Sequence, residues 1–480
     1  MRNWSNRDCV SAKSLGIASD NLKRYITALI VREQPSLLKR SERGEVVQAM
    51  SSQTVFKPPV VTNSTEIPLK PTQLHFNEAF RNTVTRSEAE NLTKCAFSPD
   101  AELVDYHLRP YSEEKLGFLG SHLCLIITAR RSGCDEFEKR SFFVKSIPYN
   151  IPNQAIYVEE KGVFEKEEKF FRYLVPLMTD NFKIESWAPR CYLTKDSAIV
   201  YEDMKLRGFT NRSKFFDLKT LRAAVACVAR FHASSLLAEE KLNGKSIHDL
   251  YPEILRESEY KQTGRSKTWF AVAINLVVSI ADQHGYYSSN IRRASECIFD
   301  AILPSKTKRN VVSHGDLWGS NLIFDGEDRC NLVDFQLLRY APLAHDVIRL
   351  IYLTSRRELR REHEAQLLEH YYVTLRKTLV DNAFKGVMPS YEELLLGVEE
   401  QRLGAVVTVA VDHPTVMMDG KMAATIMDDP TTYEAFFFKD RKPFVDKIMS
   451  VDPEFERVVK AAVQELAEMS LIVDSLPRPT

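Results

Sequence analysis

Two stretches in the first third of the chain read as strands. Leu123-Cys-Leu-Ile-Ile-Thr-Ala129 and Ser141-Phe-Phe-Val-Lys-Ser-Ile147 are rich in β-branched and aromatic residues and are joined by a polar loop, which predicts adjacent antiparallel strands. The period then changes. Phe164, Glu167, Phe171 and Leu174 recur at helical spacing and share one face, so this segment reads as a helix whose apolar stripe carries one carboxylate. Ala198-Ile-Val-Tyr-Glu-Asp-Met204 reads as a further strand running into a polar corner, and Leu221 to Leu236 as a long helix. Asn321-Leu-Ile-Phe-Asp325 and Cys330-Asn-Leu-Val-Asp334 read as two short strands, with Gly326, Glu327 and Asp328 turning between them. The remainder, through Tyr391 to Leu471, reads as helices.

The longest apolar run, Phe270 to Ala281, is too short and interrupted for a bilayer span of about 20 residues, and reads as a buried helix. Residues 1–85 differ from the rest. A weak apolar patch at Tyr25–Val31 is followed by a Ser-, Thr- and Pro-rich stretch from Ser51 to Pro71, so a poorly ordered extension with a linker is expected.

Composition narrows the classes. With 480 residues, 44% hydrophobic and 27% charged, the chain can form two domains or one bilobal unit. Lys and Arg number 65 and so do Asp and Glu, so no basic field favours nucleic acid or an anionic membrane as partner. The eight cysteines are scattered without close pairs, which argues against a zinc site or a disulfide framework. No N-terminal segment has the order of a signal peptide, so a cytoplasmic location is expected.

The candidate chemistry lies around Val311-Val-Ser-His-Gly-Asp-Leu-Trp-Gly-Ser-Asn321 and the hairpin that follows. Folding that hairpin about Glu327 and Asp328 brings Asn321 opposite Asp334, and two oxygen ligands at one end of a hairpin suit a hard cation such as Mg²⁺. Asp316, in the preceding loop, is placed to accept a hydroxyl proton. Glu167 needs a partner, because a charge on a buried stripe is costly unless paired, and Lys145 on the second strand is the natural one. Gly117-Phe-Leu-Gly-Ser-His122 is not a full G-x-G-x-x-G, yet backbone N–H groups around Gly117 and Gly120 and the Ser121 hydroxyl can approach a phosphate.

The motifs HGDLWGSN and VDFQLLRYAPLAHD resemble those of the insect ecdysteroid kinase-like family, in the choline kinase and aminoglycoside phosphotransferase superfamily, over about residues 86 to 470. The resemblance implies an α+β, two-lobed protein-kinase-like fold, with a small β-rich N-lobe over 86–204 that binds nucleotide and a larger helical C-lobe over 205–480. It implies an ATP- and Mg²⁺-dependent kinase acting on a hydroxyl of an apolar alcohol such as an ecdysteroid or xenobiotic, for hormone inactivation or detoxification. In that reading Asp316 is the base or hydroxyl-orienting group, and Asn321 and Asp334 bind Mg²⁺. Lys145 with Glu167 positions the phosphates, and the backbone of Glu202 and Met204 faces adenine. The acceptor lies between the HGD loop and the C-terminal helices. A choline- or ethanolamine-type kinase and a non-catalytic pseudokinase are the alternatives.

Three further residues read as structural. His314 is expected to brace the catalytic loop, Asp346 to brace it or to cap a helix, and His232 to be a hydrogen-bonded packing residue. Only a short stretch separates Asp334 from Pro342, which leaves no room for a long activation segment, and Gly315 stands where protein kinases carry an arginine that binds a phosphorylated loop. Oligomeric state is left open.

Overall fold

Strands β1 (Ala101–Pro110), β2 (Ser121–Arg131), β3 (Phe137–Ser146), β4 (Cys191–Lys195) and β5 (Ala198–Glu202) form one antiparallel sheet in the order β1-β2-β3-β5-β4. Side chains alternate across a strand, so Leu123, Leu125 and Ile127 share a face with Phe142 and Val144. That face packs on Ala89 and Leu92 of helix α1 (Arg86–Ala96). The same alternation turns Lys145 and Tyr201 toward the other face. The computed structural model describes residues 80, 82–112, 120–131, 136–149, 151–326 and 329–480. The extension and linker expected over residues 1–85 lie outside the described residues as far as residue 79, as do Gly117 and the turn residues Glu327 and Asp328.

The N-lobe begins earlier than its sequence boundary at residue 86. Phe80 and Val84 are buried in the same small core, and Thr85 caps α1 through a reciprocal box with Glu88. The apolar pair Val84 and Ala89 straddles that box, so the cap also fixes how the chain enters the helix. Strand β1 escaped the sequence reading because it is an edge strand with only Ala101 fully buried.

Helix α2 (Pro152–Lys161) leads into α3, which runs from Val163–Lys169 through a π-turn at Phe170–Leu174 into Val175–Thr179. Phe164, Glu167, Phe171 and Leu174 are all buried, as their spacing predicted. The π-turn was not anticipated. It rotates Phe170 and Phe171 together onto Phe335, at ring-centre distances of 4.9 and 5.5 Å, and Trp187, Phe231 and His314 complete the cluster.

The C-lobe is built on α4 (Leu218–Glu240), α5 (Gly264–Gln283), α6 (Ala344–Thr354), α7 (Arg357–Asp381), α8 (Tyr391–Val416) and α9 (Pro453–Ser470). Among the described residues α4 is the one helix long and apolar enough to cross a membrane, and 78% of its apolar window is buried inside the protein, as in a core helix. Two short pairings insert the catalytic segment. Strand β6 (Asn310–Ser313) pairs with β9 (Arg339–Pro342), and β7 (Leu322–Phe324) with β8 (Cys330–Leu332). Asn321 ends a 3₁₀ turn ahead of β7 rather than starting the strand, and its carbonyl accepts from Val333 N at 3.0 Å. That bond brings Asn321 and Asp334 to one end of the hairpin.

Phe335 is fully buried between α3 of one lobe and the catalytic loop of the other, so Phe335→Ala should destabilise the protein by about 3–5 kcal/mol in chemical denaturation. A loss below about 1 kcal/mol would mean that the aromatic cluster does not join the lobes.

Candidate active site

The loop Ser313–Asp316 is shaped by a buried carboxylate beneath it. Asp346 accepts hydrogen bonds from Ser313 Oγ (2.6 Å), His314 N (2.6 Å) and Gly315 N (3.1 Å), and its Oδ2 lies 3.1 Å from His232 Nε2. Tyr371 Oη meets the other His232 nitrogen at 2.6 Å. Asp346 lies in the first turn of α6, inside the helix, and the N-cap position is Leu343. It is therefore a brace for the loop and not a helix cap. Burial alone would push its carboxyl up, but the hydrogen bonds from His232 and Ser313 and the nearby His345 hold it well below the ordinary range.

Gly315 has φ +79°, and a Cβ there would lie 2.3 Å from Leu337 O. Only glycine fits, which is why no arginine stands at this place. His314 lies 3.1 Å from Val333 O through Nε2 and accepts from Asp316 N through Nδ1 at 3.3 Å, which assigns the neutral tautomer with the proton on Nε2. Burial lowers its pKa and favours the same state. His314 thus ties the loop to the strand that leads into Asp334.

Lys145 is 3% exposed and lies between two carboxylates, with Nζ 2.5 Å from Glu167 Oε2 and 2.7 Å from Asp334 Oδ1. Glu167 Oε1 also accepts from Tyr201 Oη (3.0 Å) and Phe335 N (3.2 Å). One carboxylate therefore fixes the lysine, the β5 strand and the residue after Asp334. Burial pulls the Lys145 ammonium down, but Asp334 and Glu167 outweigh it and hold the pKa above its ordinary value. Burial pushes the Glu167 carboxyl up while Lys145 opposes, and at this separation the ion pair is the favoured state. Asp334 takes a left-handed backbone (φ 69°, ψ 68°), sparsely populated for a non-glycine residue and most tolerated by Asp and Asn.

Asn321 Nδ2 donates to Asp316 O and to Asp316 Oδ2, both at 2.9 Å, so its amide oxygen is turned away and accepts from no donor among the described residues. Asp334 keeps a partly exposed carboxylate nearby. This pair offers hard oxygen donors, as Mg²⁺ requires. No group of three or more His, Cys, Asp or Glu able to hold a metal occurs among the described residues, so an ion here would be shared with ligand oxygens, as Mg²⁺ commonly is with phosphates. Burial, and then the carboxylates of Glu259, Asp334 and Asp412, push the Asp316 carboxyl well up, with Asn321 opposing.

A cavity of about 410 Å³ collects Lys145, Glu167, Glu202, Met204, Asn321 and Asp334. Gly120 adjoins it. Its φ of +155° suits glycine, and its Cβ position is 3.5 Å from Lys145 Cε. Ser121 opens β2 opposite Ser146. Met204 begins a 3₁₀ turn, so its N–H has no partner within that turn. Asp203 between them accepts from Tyr111 Oη (2.8 Å), Ser141 Oγ (2.5 Å) and Lys205 N (3.2 Å), which holds the corner still.

Sequence reasoning missed several residues that shape the site. Phe143, Phe209, Ile323, Met418 and Ala423 give the cavity its apolar walls, and they come from five separate segments that no local pattern links. Lys166 is buried beside Glu167 and donates to Leu338 O (2.7 Å), Arg256 O (2.8 Å) and Ser258 Oγ (3.2 Å), which fastens α3 to the C-lobe. A lysine next to the paired glutamate looks in sequence like one more surface charge.

A model of the ecdysteroid kinase-like family matches residues 117–429, more than half of the chain. A search of curated proteins finds no significant match. Among solved structures the chain is similar to spectinomycin phosphotransferase, at 14% identity over 77% of this chain and 93% of that one, with a TM-score of 0.36. It is also similar to Plasmodium vivax ethanolamine kinase (12%, 74% and 83%, TM-score 0.36) and to the choline kinase LicA from Streptococcus pneumoniae (12%, 82% and 99%, TM-score 0.34).

The Asp346 network gives a pH signature. Its folded-state pKa lies below the ordinary 3.8, so its contribution is full above that value and fades as pH falls below it. Asp346→Asn should lower stability by about 3 kcal/mol at neutral pH. Denaturation curves of the two proteins should converge below pH 3.8, and a difference unchanged by pH would remove the charge from the explanation.

Proposed function

Because the chain belongs to the ecdysteroid kinase-like family, we propose that it transfers the γ-phosphoryl group of ATP to a hydroxyl of a small apolar alcohol such as an ecdysteroid or a xenobiotic. The observation that carries this reading is Lys145, held by Glu167 at 2.5 Å and Asp334 at 2.7 Å on the wall of a cavity that also contains Asn321. Phosphoryl transfer depends almost entirely on positioning and charge stabilisation, and this arrangement supplies both.

Each residue then has a task. Lys145 orients the phosphates, with Glu167 setting its position. The Met204 N–H and the Glu202 backbone face the adenine, and Gly120 lets the backbone pass close to Lys145. Asp316 receives the hydroxyl proton as the acceptor oxygen bonds to the γ-phosphorus, while the bond from that phosphorus to the β-phosphate oxygen breaks and ADP departs. Asn321 and Asp334 would hold a Mg²⁺ ion, which when bound would supply positive charge toward the phosphate oxygens. Phosphorylation adds about −1.5 to −2 charge, which keeps an apolar product out of membranes and out of pockets built for the neutral form.

With ATP, Mg²⁺ and a panel of alcohols, ADP and a phosphate monoester should appear in equal amounts. Asp316→Ala should reduce kcat by about 10²–10⁴-fold with nucleotide binding retained. Asp334→Ala should abolish Mg²⁺-dependent transfer. Wild-type turnover in Asp316→Ala, or unchanged Mg²⁺ dependence in Asp334→Ala, would refute these roles.

A further inference from the structure

Strand β1 stands at one edge of the N-lobe sheet and pairs with β2 alone. Successive residues of an antiparallel strand direct their backbone N–H and C=O groups alternately to one neighbour and to the other. Tyr111, just past β1, donates its N–H to His122 O at 3.1 Å and so faces β2. By alternation Asp105, His107 and Arg109 face β2 as well, while Tyr106, Leu108 and Pro110 direct their backbone groups outward. Pro110 has no N–H to place there, as suits an edge. Among the described residues no backbone group pairs with the outward N–H and C=O of Tyr106 and Leu108. An open edge of this kind is a template for another strand.

The open stretch has marked ends. The register of β1 against β2 shifts between Leu103 and Asp105, so Val104 is a bulge that bends the strand on one side, and Pro110 removes a donor on the other. Only Asp105–Arg109 remains regular between them.

Charge selects the occupant. A second copy laid antiparallel about a twofold axis at His107 sets Tyr106 against Leu108, Asp105 against Arg109 and His107 against itself. Tyr106 and Leu108 are the outward-bonding residues, so each such pair exchanges both N–H···O=C bonds, and symmetry repeats the exchange. Their side chains lie over the small core, whereas Asp105, His107 and Arg109 share the exposed face. Residues opposed without hydrogen bonds have Cα atoms about 4.5 Å apart, so each Asp105 carboxylate meets the Arg109 guanidinium of the other copy. Neighbouring registers lose this match. With Leu108 on the axis, His107 faces Arg109 and Tyr106 faces Pro110, which has no N–H. With Tyr106 on the axis, Leu108 meets the bulge at Val104 and Arg109 meets Leu103.

We propose that β1 is a homodimer interface, in which two copies pair antiparallel along Asp105–Arg109 and join their N-lobe sheets into one. The proposal is independent of the phosphotransferase reading, since it uses no residue of the cleft.

Sedimentation equilibrium of the full chain across the micromolar range should show monomer and dimer in concentration-dependent exchange. Asp105→Arg sets arginine against arginine twice and should raise the dissociation constant by about 10–100-fold. Adding Arg109→Asp to that variant restores both pairs with reversed polarity and should recover the dimer, a rescue that a damaged strand would not show. His107→Cys places two thiols at the axis and should give an intermolecular disulfide under mild oxidation, beyond the baseline of the unaltered chain with its exposed Cys95. The cross-link changes no ion pair and decides the matter if Asp105→Arg fails to fold. A monomer at every concentration overturns the proposal, as does a dissociation constant that Asp105→Arg leaves unchanged. A double variant no tighter than Asp105→Arg, or a His107→Cys chain that forms no cross-link above the baseline, overturns it too.

Discussion

A single ammonium group, that of Lys145, holds together two carboxylates that would otherwise repel each other in a poorly hydrated place. Glu167 belongs to the helix of one lobe and Asp334 to the hairpin of the other, so the relative position of the lobes at the cleft is written into one three-body contact. Buried ion pairs are weak sources of net stability, because desolvation offsets much of the attraction. What this one contributes is geometry. Tyr201, the Phe335 backbone and the aromatic cluster around Phe335 all take their places from the same glutamate or its immediate neighbours.

The catalytic loop follows the same logic one layer deeper. Asp346 collects Ser313, His314, Gly315 and His232, so the loop rests on a charged and fully hydrogen-bonded platform. Gly315 admits the close passage of Leu337, and His314 links the loop to Val333. Asp316 and Asp334 are thus placed by different elements yet joined through short, defined contacts. Preorganisation of that kind is what a reaction dominated by electrostatics requires.

Much of this was legible in the sequence, wherever function rests on local spacing. The alternation around Lys145, the helical stripe carrying Glu167 and the hairpin joining Asn321 to Asp334 are short-range patterns, and the structure places their residues around one cleft. Asp316 follows from the loop motif alone. The misses are of another kind. The apolar walls of the cavity and the Lys166 tether depend on chain segments far apart in sequence that meet only through packing. The π-turn in α3 had a signal that went unread, since Pro176 lies inside α3 two residues past Leu174 and its missing N–H interrupts the α-helical hydrogen-bond ladder there. The edge strand β1 lacks a buried face, and without one its pattern is weak.

The segment after Asp334 is three residues of 3₁₀ turn, Phe335–Leu337, followed at Arg339 by strand pairing with β6 and at Ala344 by helix. Protein kinases use this stretch as a switch, ordered only when a signal arrives. Here it is sewn into the framework on both sides, so folding and assembly of the catalytic centre are one event. A catalyst built in this way has no dormant form to be awakened at that position.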